Sequence, residues 1–223
     1  MNLDYLTDGA NWAWSSSDSF PHRLLEHLGY TSLALLIAAV IALPIGLYVG
    51  HTNRAAVLAI NLGNAGQAVP TLGLLMLMLA LLGLGLLPVI IALAALAVPP
   101  LITTTYAGLR AVPAGAVDAA VGMGMRPLQV LVGVEIPAAL PIIVGGLRNA
   151  TLQVVSSATI AAYAGMGGLG RYLFDGLAVR DYPQVVAGSV VVAVLAIALD
   201  LLIAGLGRWS VSPGLRLSTH QTS

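Results

Sequence analysis

Five stretches of this chain are apolar over about 20 residues, the length a helix needs to cross about 30 Å of hydrocarbon at about 1.5 Å per residue. They lie at residues 29–50, 55–82, 87–109, 139–162 and 183–207. Apolar residues make up 58% of the 223 residues and charged residues only 8%, so most of the surface must face lipid rather than water. The sequence therefore predicts an all-α polytopic membrane protein with about five transmembrane helices in a lipid bilayer.

The second stretch, residues 55–82, is longer than one crossing requires and contains Pro70. Proline cannot donate its backbone hydrogen bond and clashes with the preceding turn of a helix. The stretch is therefore either one kinked helix or two shorter segments, which makes five or six segments in all. We expect the kinked helix.

The arginines indicate the orientation, because short cytoplasmic loops collect positive charge. An extracytoplasmic N-terminus leaves three arginines outside the cell and five in the cytoplasm. Those in the cytoplasm are then Arg54, Arg110, Arg126, Arg208 and Arg216. We expect one transmembrane domain over 29–207, a cytoplasmic loop over 110–138 and a cytoplasmic tail over 208–223.

Residues 1–28 form an extracytoplasmic tail in this topology. Its first 21 residues carry no basic residue and no apolar core, which is unlike a secretory signal peptide. Tyr5, Trp12, Trp14 and Phe20 are typical of an amphipathic segment at the level of the lipid headgroups. An untethered tail is the alternative.

Composition excludes several functions. The chain has nine basic and nine acidic residues, with no lysine and no cysteine. Without net charge nothing indicates a nucleic-acid partner, and without lysine there is no Gly-x-x-x-x-Gly-Lys-Ser/Thr phosphate loop. The histidines lack metal-ligand spacing and stand at positions 22, 27, 51 and 220. We therefore expect no enzyme activity, metal or cofactor on this chain.

The segment from Arg110 to Pro137 is long for a simple connection, and loops of that length usually have a task. Ala119 and Ala120 are small enough for close helix approach, and Gly124 permits a turn that other residues resist. Pro127 can begin the next helix. The segment therefore predicts a helix, a turn and a short amphipathic helix lying at the membrane face.

This segment resembles the EAA loop of bacterial ABC importer permeases, whose pattern is Glu-Ala-Ala, three residues, Gly, nine residues, Ile-x-Leu-Pro. The corresponding positions are Asp118, Ala119, Ala120, Gly124, Val134, Ile136 and Pro137, and Glu135 stands at the unspecified position between Val134 and Ile136. Asp replaces Glu, Val replaces Ile and Ile replaces Leu. The resemblance implies that these residues couple the chain to a separate ATP-hydrolysing subunit, which carries the ATP and Mg. Accidental spacing in an ordinary cytoplasmic loop is the alternative.

Residues 136–170 resemble permeases of the glycine betaine, carnitine and choline group, with a Gly-Leu-Arg, an Ala-Ala and a closing Gly-Gly-Leu-Gly. Residues 67–75, QAVPTLGLL, resemble the same group. This implies a type I ABC importer permease for a compatible solute in the bacterial plasma membrane. Its partners are then an extracytoplasmic solute-binding protein and a second permease subunit, identical or homologous. Methionine permeases share the EAA loop and the Gly-Gly-Leu-Gly end, so an amino acid is the alternative solute.

Two sets of polar residues recur at helical spacing inside the apolar stretches. The first is Asn61, Asn64, Gln67 and Thr71, and the second is Asn149, Gln153 and Ser156 or Ser157. A polar face is costly in lipid, so each should face protein or water. They either line the translocation pathway, at an interface with a second permease subunit, or only form interhelical hydrogen bonds.

Aromatic rings usually recognise quaternary ammonium groups, and few lie inside the apolar stretches. We therefore expect the high-affinity site on the separate solute-binding protein. That protein could dock on the outer segment that holds Arg171, Asp175, Arg180 and Asp181. Alternatively, these charges are solvated or paired within the segment.

An ion-coupled secondary transporter is the main alternative class, and it usually carries membrane-embedded carboxylates or broken helices in an internal repeat. Asp200 is the single acid in an apolar stretch, and no repeat is visible. An intramembrane enzyme would need a Ser and His or a paired-Asp constellation within the stretches, and none is present.

Arg148 and Asp200 are the two charges placed well within the apolar stretches. Counted from the cytoplasmic ends of their helices, they lie about 13 and 10 Å deep. Consecutive antiparallel helices usually pack side by side, and an unpaired charge at that depth is costly. The sequence predicts an intramembrane ion pair between them. The alternative is that Arg148 extends toward the cytoplasm or meets helix carbonyls while Asp200 faces a neighbouring chain.

Overall fold

A computed structural model describes residues 4–14 and 16–210, whose regular structure is helical throughout. The α-helices are α1 Asp4–Thr7, α2 Phe20–Thr52, α3 Ala56–Ala68, α4 Thr71–Leu82, α5 Leu86–Arg110, α6 Ala114–Gly122, α7 Pro127–Val130, α8 Ile136–Ala158, α9 Gly170–Val179 and α10 Tyr182–Ser210. Two 3₁₀ segments cover Gly9–Trp12 and Thr159–Ala164, and a π-helical segment covers Leu131–Glu135.

Four helical segments in the described part of the chain are long and apolar enough to cross a membrane. They are Phe20–Thr52, Leu86–Arg110, Pro127–Ala164 and Tyr182–Gly207, with 33, 25, 38 and 26 residues. Helix α4 is apolar but has only 12 residues. The expectation of an all-α polytopic membrane protein is confirmed.

The single kinked helix expected over residues 55–82 is wrong, because the chain leaves the helix near Pro70. Helix α3 ends at Ala68 and α4 begins at Thr71. Pro70 has φ −68° and ψ 121°, an extended conformation, and its carbonyl accepts a hydrogen bond from Leu74 N–H as the first bond of α4. Proline favours a helix start because its missing N–H has no partner there in any case. The second predicted crossing thus consists of two short helices.

The first long helix begins at Phe20, well before residue 29, so residues 20–28 belong to α2 rather than to the tail. Phe20 is buried and stacks on Tyr172 with ring centroids 4.3 Å apart. Tyr5 of α1 meets Phe20 and Tyr172 edge to face, each at 6.1 Å. The Trp12 indole N–H donates to the Leu6 carbonyl. The side chains of Tyr5, Leu6 and Trp12 therefore pack against other residues of the first unit, so this segment is not untethered.

The chain divides into two compact units. The first unit is Met1–Ala38, Ala68–Ala97 and Thr151–Leu199, and the second is Ala39–Gln67, Val98–Ala150 and Asp200–Ser223. Residues 211–223, most of the expected cytoplasmic tail and including Arg216, lie outside the described residues. The core of the first unit consists of Phe20, Val155, Leu169, Tyr172, Ala187 and Leu195.

The second unit is organised around three consecutive threonines of α5, residues 103–105. Each occupies the space that a side chain would need at a glycine of another helix. The glycines are Gly63 of α3, Gly146 of α8 and Gly46 of α2. A Cβ added at Gly46 would lie 2.6 Å from Cβ of Thr105. Small residues let membrane helices approach closely. The backbones of α2, α3 and α8 therefore pack directly against the threonine side chains of α5 at these glycines.

Candidate coupling loop and polar faces

Residues 110–138 form the candidate coupling loop. The turn expected within this loop follows α6. Gly124 has φ +82°, a conformation that L side chains rarely adopt, and its N–H donates to the Val121 carbonyl over 2.9 Å. Met125 N–H reaches back to the Ala120 carbonyl at 3.2 Å. This closes the C-terminus of α6 in the way helices commonly end on a glycine. No atom lies within 4 Å of a Cβ added at Gly124, so backbone conformation rather than space requires glycine there.

The second half of the loop differs from the expected separate short helix. Pro127 begins α7, and Arg126 N–H donates to the Gln129 Oε1 over 2.7 Å at the helix start. Helix α7 then continues through the π-helical segment into α8, so that Pro127–Ala164 is one long segment. The expectation was wrong because nothing after Val130 interrupts the helix. A π-helical turn that includes Gly133 stands where a break between two helices was expected.

The eight candidate coupling residues, which are the seven that match the EAA pattern and Glu135, differ in exposure. Buried positions are Ala120 and Glu135, half-buried ones Val134 and Ile136, and exposed ones Asp118, Ala119, Gly124 and Pro137. Large apolar side chains of the same loop are also exposed, with Met123 76% and Leu128 70% accessible. An uncovered apolar surface beside a polar loop is typical of a docking site for another protein.

Glu135 contacts a residue to which the sequence assigned no role. Its Oε2 lies 2.5 Å from Nδ1 of His51, in the last turn of α2. Only a tenth of the Glu135 side chain is accessible. The two residues are 84 positions apart, and His51 stands alone near the end of an apolar stretch, so no local pattern could have connected them.

Arg148 of α8 and Asp200 of α10 form a bidentate ion pair. Arg148 Nε donates to Asp200 Oδ1 over 2.7 Å, and Nη2 donates to Oδ2 over 2.6 Å. Parallel bonds of this kind fix both groups in direction as well as distance. The structure thus brings together the two charges that the sequence placed at similar depth.

The first polar set does not share one helix face. Thr71 is the first residue of α4, after the break at Pro70, so the four-residue step from Gln67 does not follow a helix. Asn61 is exposed on α3. Gln67 and Asn64 also belong to α3, but their side chains lie outside the described part of the structure.

The second polar set belongs to α8. Asn149 and Ser156 are exposed, while Gln153 and Ser157 are half-buried. The Ser156 hydroxyl donates to the Leu152 carbonyl over 2.8 Å, which satisfies it within the helix. Some polar side chains of this membrane-crossing segment are not covered by other described residues. Such side chains need protein or water beside them rather than lipid.

The glycine-rich loop around Gly168 and the C-terminal part of α8 each bind one side chain of α2. Glu26 Oε2 accepts hydrogen bonds from Gly168 N–H at 2.7 Å and from Arg23 Nη1 at 2.9 Å. His27 is fully buried, with its Nε2 3.0 Å from the Val155 carbonyl, so this nitrogen carries the proton and donates. The sequence identified the loop by resemblance but not these two partners.

The outer segment holds part of its charge in local contacts. Arg171 Nε lies 3.1 Å from Asp175 Oδ2, and Asp181 Oδ1 accepts from Gln184 N–H at 3.2 Å. Arg180 is exposed. The Tyr172 hydroxyl donates to the Asp18 carbonyl, and burial raises the pKa of Tyr172 above its ordinary value. Burial is also the largest cause that raises the pKa of Tyr5, followed by the charge of Asp181.

No group of three or more His, Cys, Asp or Glu side chains that could hold a metal occurs in the described ranges. Four apolar helical segments of membrane-crossing length in the described ranges define an integral membrane protein. Residues 42–212 match the family described as binding-protein-dependent transport system inner membrane component, and the chain belongs to this family.

Relatives cover most of the chain. The choline transport system permease protein OpuBB of Bacillus subtilis (strain 168) is 32% identical over 87% of this chain and 90% of its own length. The glycine betaine/carnitine/choline transport system permease protein OpuCB of the same organism is 34% identical over 86% and 88%. The carnitine transport permease protein OpuCD of Listeria monocytogenes is 33% identical over 82% of each.

Two solved structures share the fold. A chain of the MetNI methionine ABC transporter in inward facing conformations has a TM-score of 0.71 at 24% identity, over 84% of this chain and 94% of its own. A chain of an amino acid ABC transporter with histidines has a TM-score of 0.68 at 20% identity, over 94% and 97%. The expected type I ABC importer permease fold is confirmed.

Proposed function

We propose that this chain is the permease subunit of an ABC importer that moves a compatible solute, such as glycine betaine, choline or carnitine, across the bacterial plasma membrane. The observation that carries the proposal is the similarity to permeases named for these solutes over more than four-fifths of the chain. The N-terminus lies outside the cell, so that the coupling loop is cytoplasmic.

Energy comes from a separate ATPase subunit, which binds ATP and Mg. The exposed apolar side chains of Met123 and Leu128 and the exposed Asp118 support docking of that subunit on the loop. The Gly124 turn gives this surface its shape. Ala120 and Glu135 face inward and connect the surface to the body of the second unit.

The docking prediction is tested with two glycines of the same loop. Gly124→Ala adds one carbon where φ is +82°, whereas Gly115→Ala adds the same carbon in α6, and neither meets an atom within 4 Å. An alanine at positive φ costs about 1 kcal/mol. We expect Gly124→Ala to lower ATPase attachment, measured by co-purification, and solute uptake, while Gly115→Ala retains both. Equal attachment by the two variants would argue against the docking role.

The translocation pathway passes polar side chains, and a second permease subunit completes it. The exposed polar positions on α3 and α8 support this, because side chains such as Asn61 and Ser156 are unfavourable against lipid. An extracytoplasmic solute-binding protein delivers the solute and provides its high-affinity site.

Single cysteines test the pathway, since the native chain has none. Asn61→Cys and Ser156→Cys should react with a charged, water-soluble thiol reagent in membranes, at rates that change when ATP is bound. Leu36→Cys is the matched control, because Leu36 is also exposed but lies on an apolar part of α2. Reaction of the control alone, or of none of the three, would contradict the assignment.

The solute is tested in proteoliposomes that contain the permease, its ATPase and its binding protein. We expect ATP-dependent uptake of labelled glycine betaine, choline or carnitine, and none of methionine. Uptake of methionine would show that the solute is an amino acid. Uptake driven by an ion gradient without ATP would show that the chain is an ion-coupled transporter.

A further inference from the structure

His51 and Glu135 form a contact between the end of α2 and the base of the coupling loop. We propose that His51 is a positioning residue for coupling: its bond to Glu135 holds the π-helical segment against α2, so that movement of the loop is passed to α2. This inference rests on the proposed function. It adds a residue outside the loop and outside the EAA pattern.

The chemistry of the pair makes it directional and costly to break. The carboxyl and imidazole groups can each hydrogen-bond only along fixed directions, and Nδ1 of His51 lies 2.5 Å from Glu135 Oε2. About a tenth of the Glu135 side chain and a fifth of the His51 side chain are accessible. Loss of either partner would leave a polar group buried without its hydrogen bond, which the structure would relieve by moving.

The position of Glu135 depends on the π-helical segment. Ile136 N–H donates to the Leu131 carbonyl, five residues back, which makes a wider turn than an α-helix. One extra residue in the turn rotates the next part of the helix, so the direction in which Glu135 projects depends on this turn. Such segments are uncommon and occur often at functional sites, where the gain offsets their poorer geometry. Here Glu135 is the last residue of the segment and meets His51.

The position of His51 is fixed by the end of α2. The next residue, Thr52, closes the helix with a hydroxyl bond to the Tyr48 carbonyl over 2.7 Å. The chain then reverses through Asn53 and Ala55, which have φ of 54° and 58°. Few residues other than glycine adopt such values, so this turn restricts where the helix end can lie. A displaced Glu135 would therefore pull on the end of α2 itself.

This arrangement separates coupling from docking. Met123 and Leu128 are exposed elsewhere on the loop and do not depend on the pair. Removing the pair should leave the ATPase attached and hydrolysing ATP, while less solute moves for each ATP. A residue that served only the stability of the fold would lower the amount of folded protein and leave that ratio unchanged.

The experiment uses the full importer in proteoliposomes and measures solute uptake, ATP hydrolysis and ATPase attachment. The variants are His51→Ala, Glu135→Ala, both together, and the exchange of His51→Glu with Glu135→His. Val40→Ala is the matched control, since Val40 lies on the same helix α2 with its side chain 66% exposed. We expect each single variant to lower uptake per ATP by about two- to thirtyfold, the range found for residues that carry coupling.

The double variant should lose no more than either single variant, because both remove one interaction. The exchange should recover part of the ratio of uptake to ATP hydrolysis, and Val40→Ala should keep that ratio. Unchanged uptake per ATP in both single variants, or losses that multiply in the double variant, would overturn the proposal.

A cross-link gives a second test that does not require the single variants to fold normally. With cysteines at positions 51 and 135 and no others in the chain, a short bis-maleimide should join them even in membranes without the ATPase. The joined protein should retain coupled uptake, because the contact stays closed during transport. Uptake that stops while ATP hydrolysis continues would overturn the proposal. If the wild-type chain binds no ATPase, the proposed function fails, and the cross-link yield still reports the contact.

Discussion

The two units of the chain satisfy their charged groups in different ways. In the second unit, charged side chains meet other side chains, as Arg148 meets Asp200 and His51 meets Glu135. In the first unit, the side-chain pairs are local, as Arg171 meets Asp175 one turn on, and the distant partner of Glu26 is a backbone group, the N–H of Gly168. Arg23 supports this contact from the same turn of α2.

The difference decides which contacts the sequence reveals. A basic and an acidic residue inside apolar stretches are rare, so Arg148 and Asp200 identify each other without any structure. A backbone N–H is present at nearly every residue, so nothing in the sequence marks Gly168 as the partner of Glu26. A backbone N–H or carbonyl also remains when its residue is substituted, whereas a single substitution removes a side-chain partner.

The largest expected effect sharpens this comparison in the second unit. Arg148→Ala removes one half of the pair and strands the other within the membrane, so it should destabilise the protein severely. Arg148→Ala combined with Asp200→Ala removes both charges and should be less damaging than the single change. Thermal unfolding of the detergent-purified protein gives the order of the three melting temperatures. A double variant less stable than the single one would show that the two residues do not act as a pair.

Most of the fold follows from the apolar stretches, because their length is set by the bilayer. The stretches 87–109 and 183–207 fall within α5 and α10. Around Pro70 the sequence was insufficient, since a proline bends a helix or ends it according to which partners the freed carbonyls find. The start of α2 was missed because His22, Arg23 and Glu26 interrupt the apolar run, although Phe20 packs firmly in the first unit.

The coupling loop was predictable where a residue type dictates conformation. Gly124 adopts the positive φ that its identity suggests, and Pro127 begins a helix. The π-helical segment was not predictable, because LVGVE has no breaker that distinguishes it from an α-helix. Because the π-helical segment was not predicted, neither the direction in which Glu135 projects nor its contact with His51 could be predicted.

Glu26 tests the backbone partner in the first unit, with a smaller effect. Glu26→Ala leaves the Gly168 N–H without its acceptor, which should cost about 1 to 3 kcal/mol of unfolding free energy. Glu26→Gln keeps an oxygen for that N–H and loses the charge that faces Arg23, so it should cost about 1 kcal/mol. The measurement is the unfolding free energy of the purified protein. If Gln is as damaging as Ala, the charge opposite Arg23 matters more than the backbone bond.

The smallest effect concerns another backbone partner of the first unit, the Asp18 carbonyl that accepts from the Tyr172 hydroxyl. Tyr172→Phe keeps the stacking on Phe20 and removes this bond, which should cost about 1 kcal/mol at neutral pH. Burial raises the pKa of Tyr172 in the folded protein, so the neutral phenol is favoured there. The unfolded chain releases the proton near pH 10, whereas the folded chain holds it at higher pH.

The contribution of the neutral phenol is therefore complete below about pH 10 and is lost as the pH rises toward the raised folded-state pKa. Over that interval the unfolding free energy should fall by about 1.4 kcal/mol per pH unit for this one group. Tyr172→Phe should remove that part of the alkaline slope, while Tyr182→Phe, exposed at the start of α10, should leave it intact. An unchanged slope in Tyr172→Phe would mean that burial in the folded protein does not raise the pKa of Tyr172.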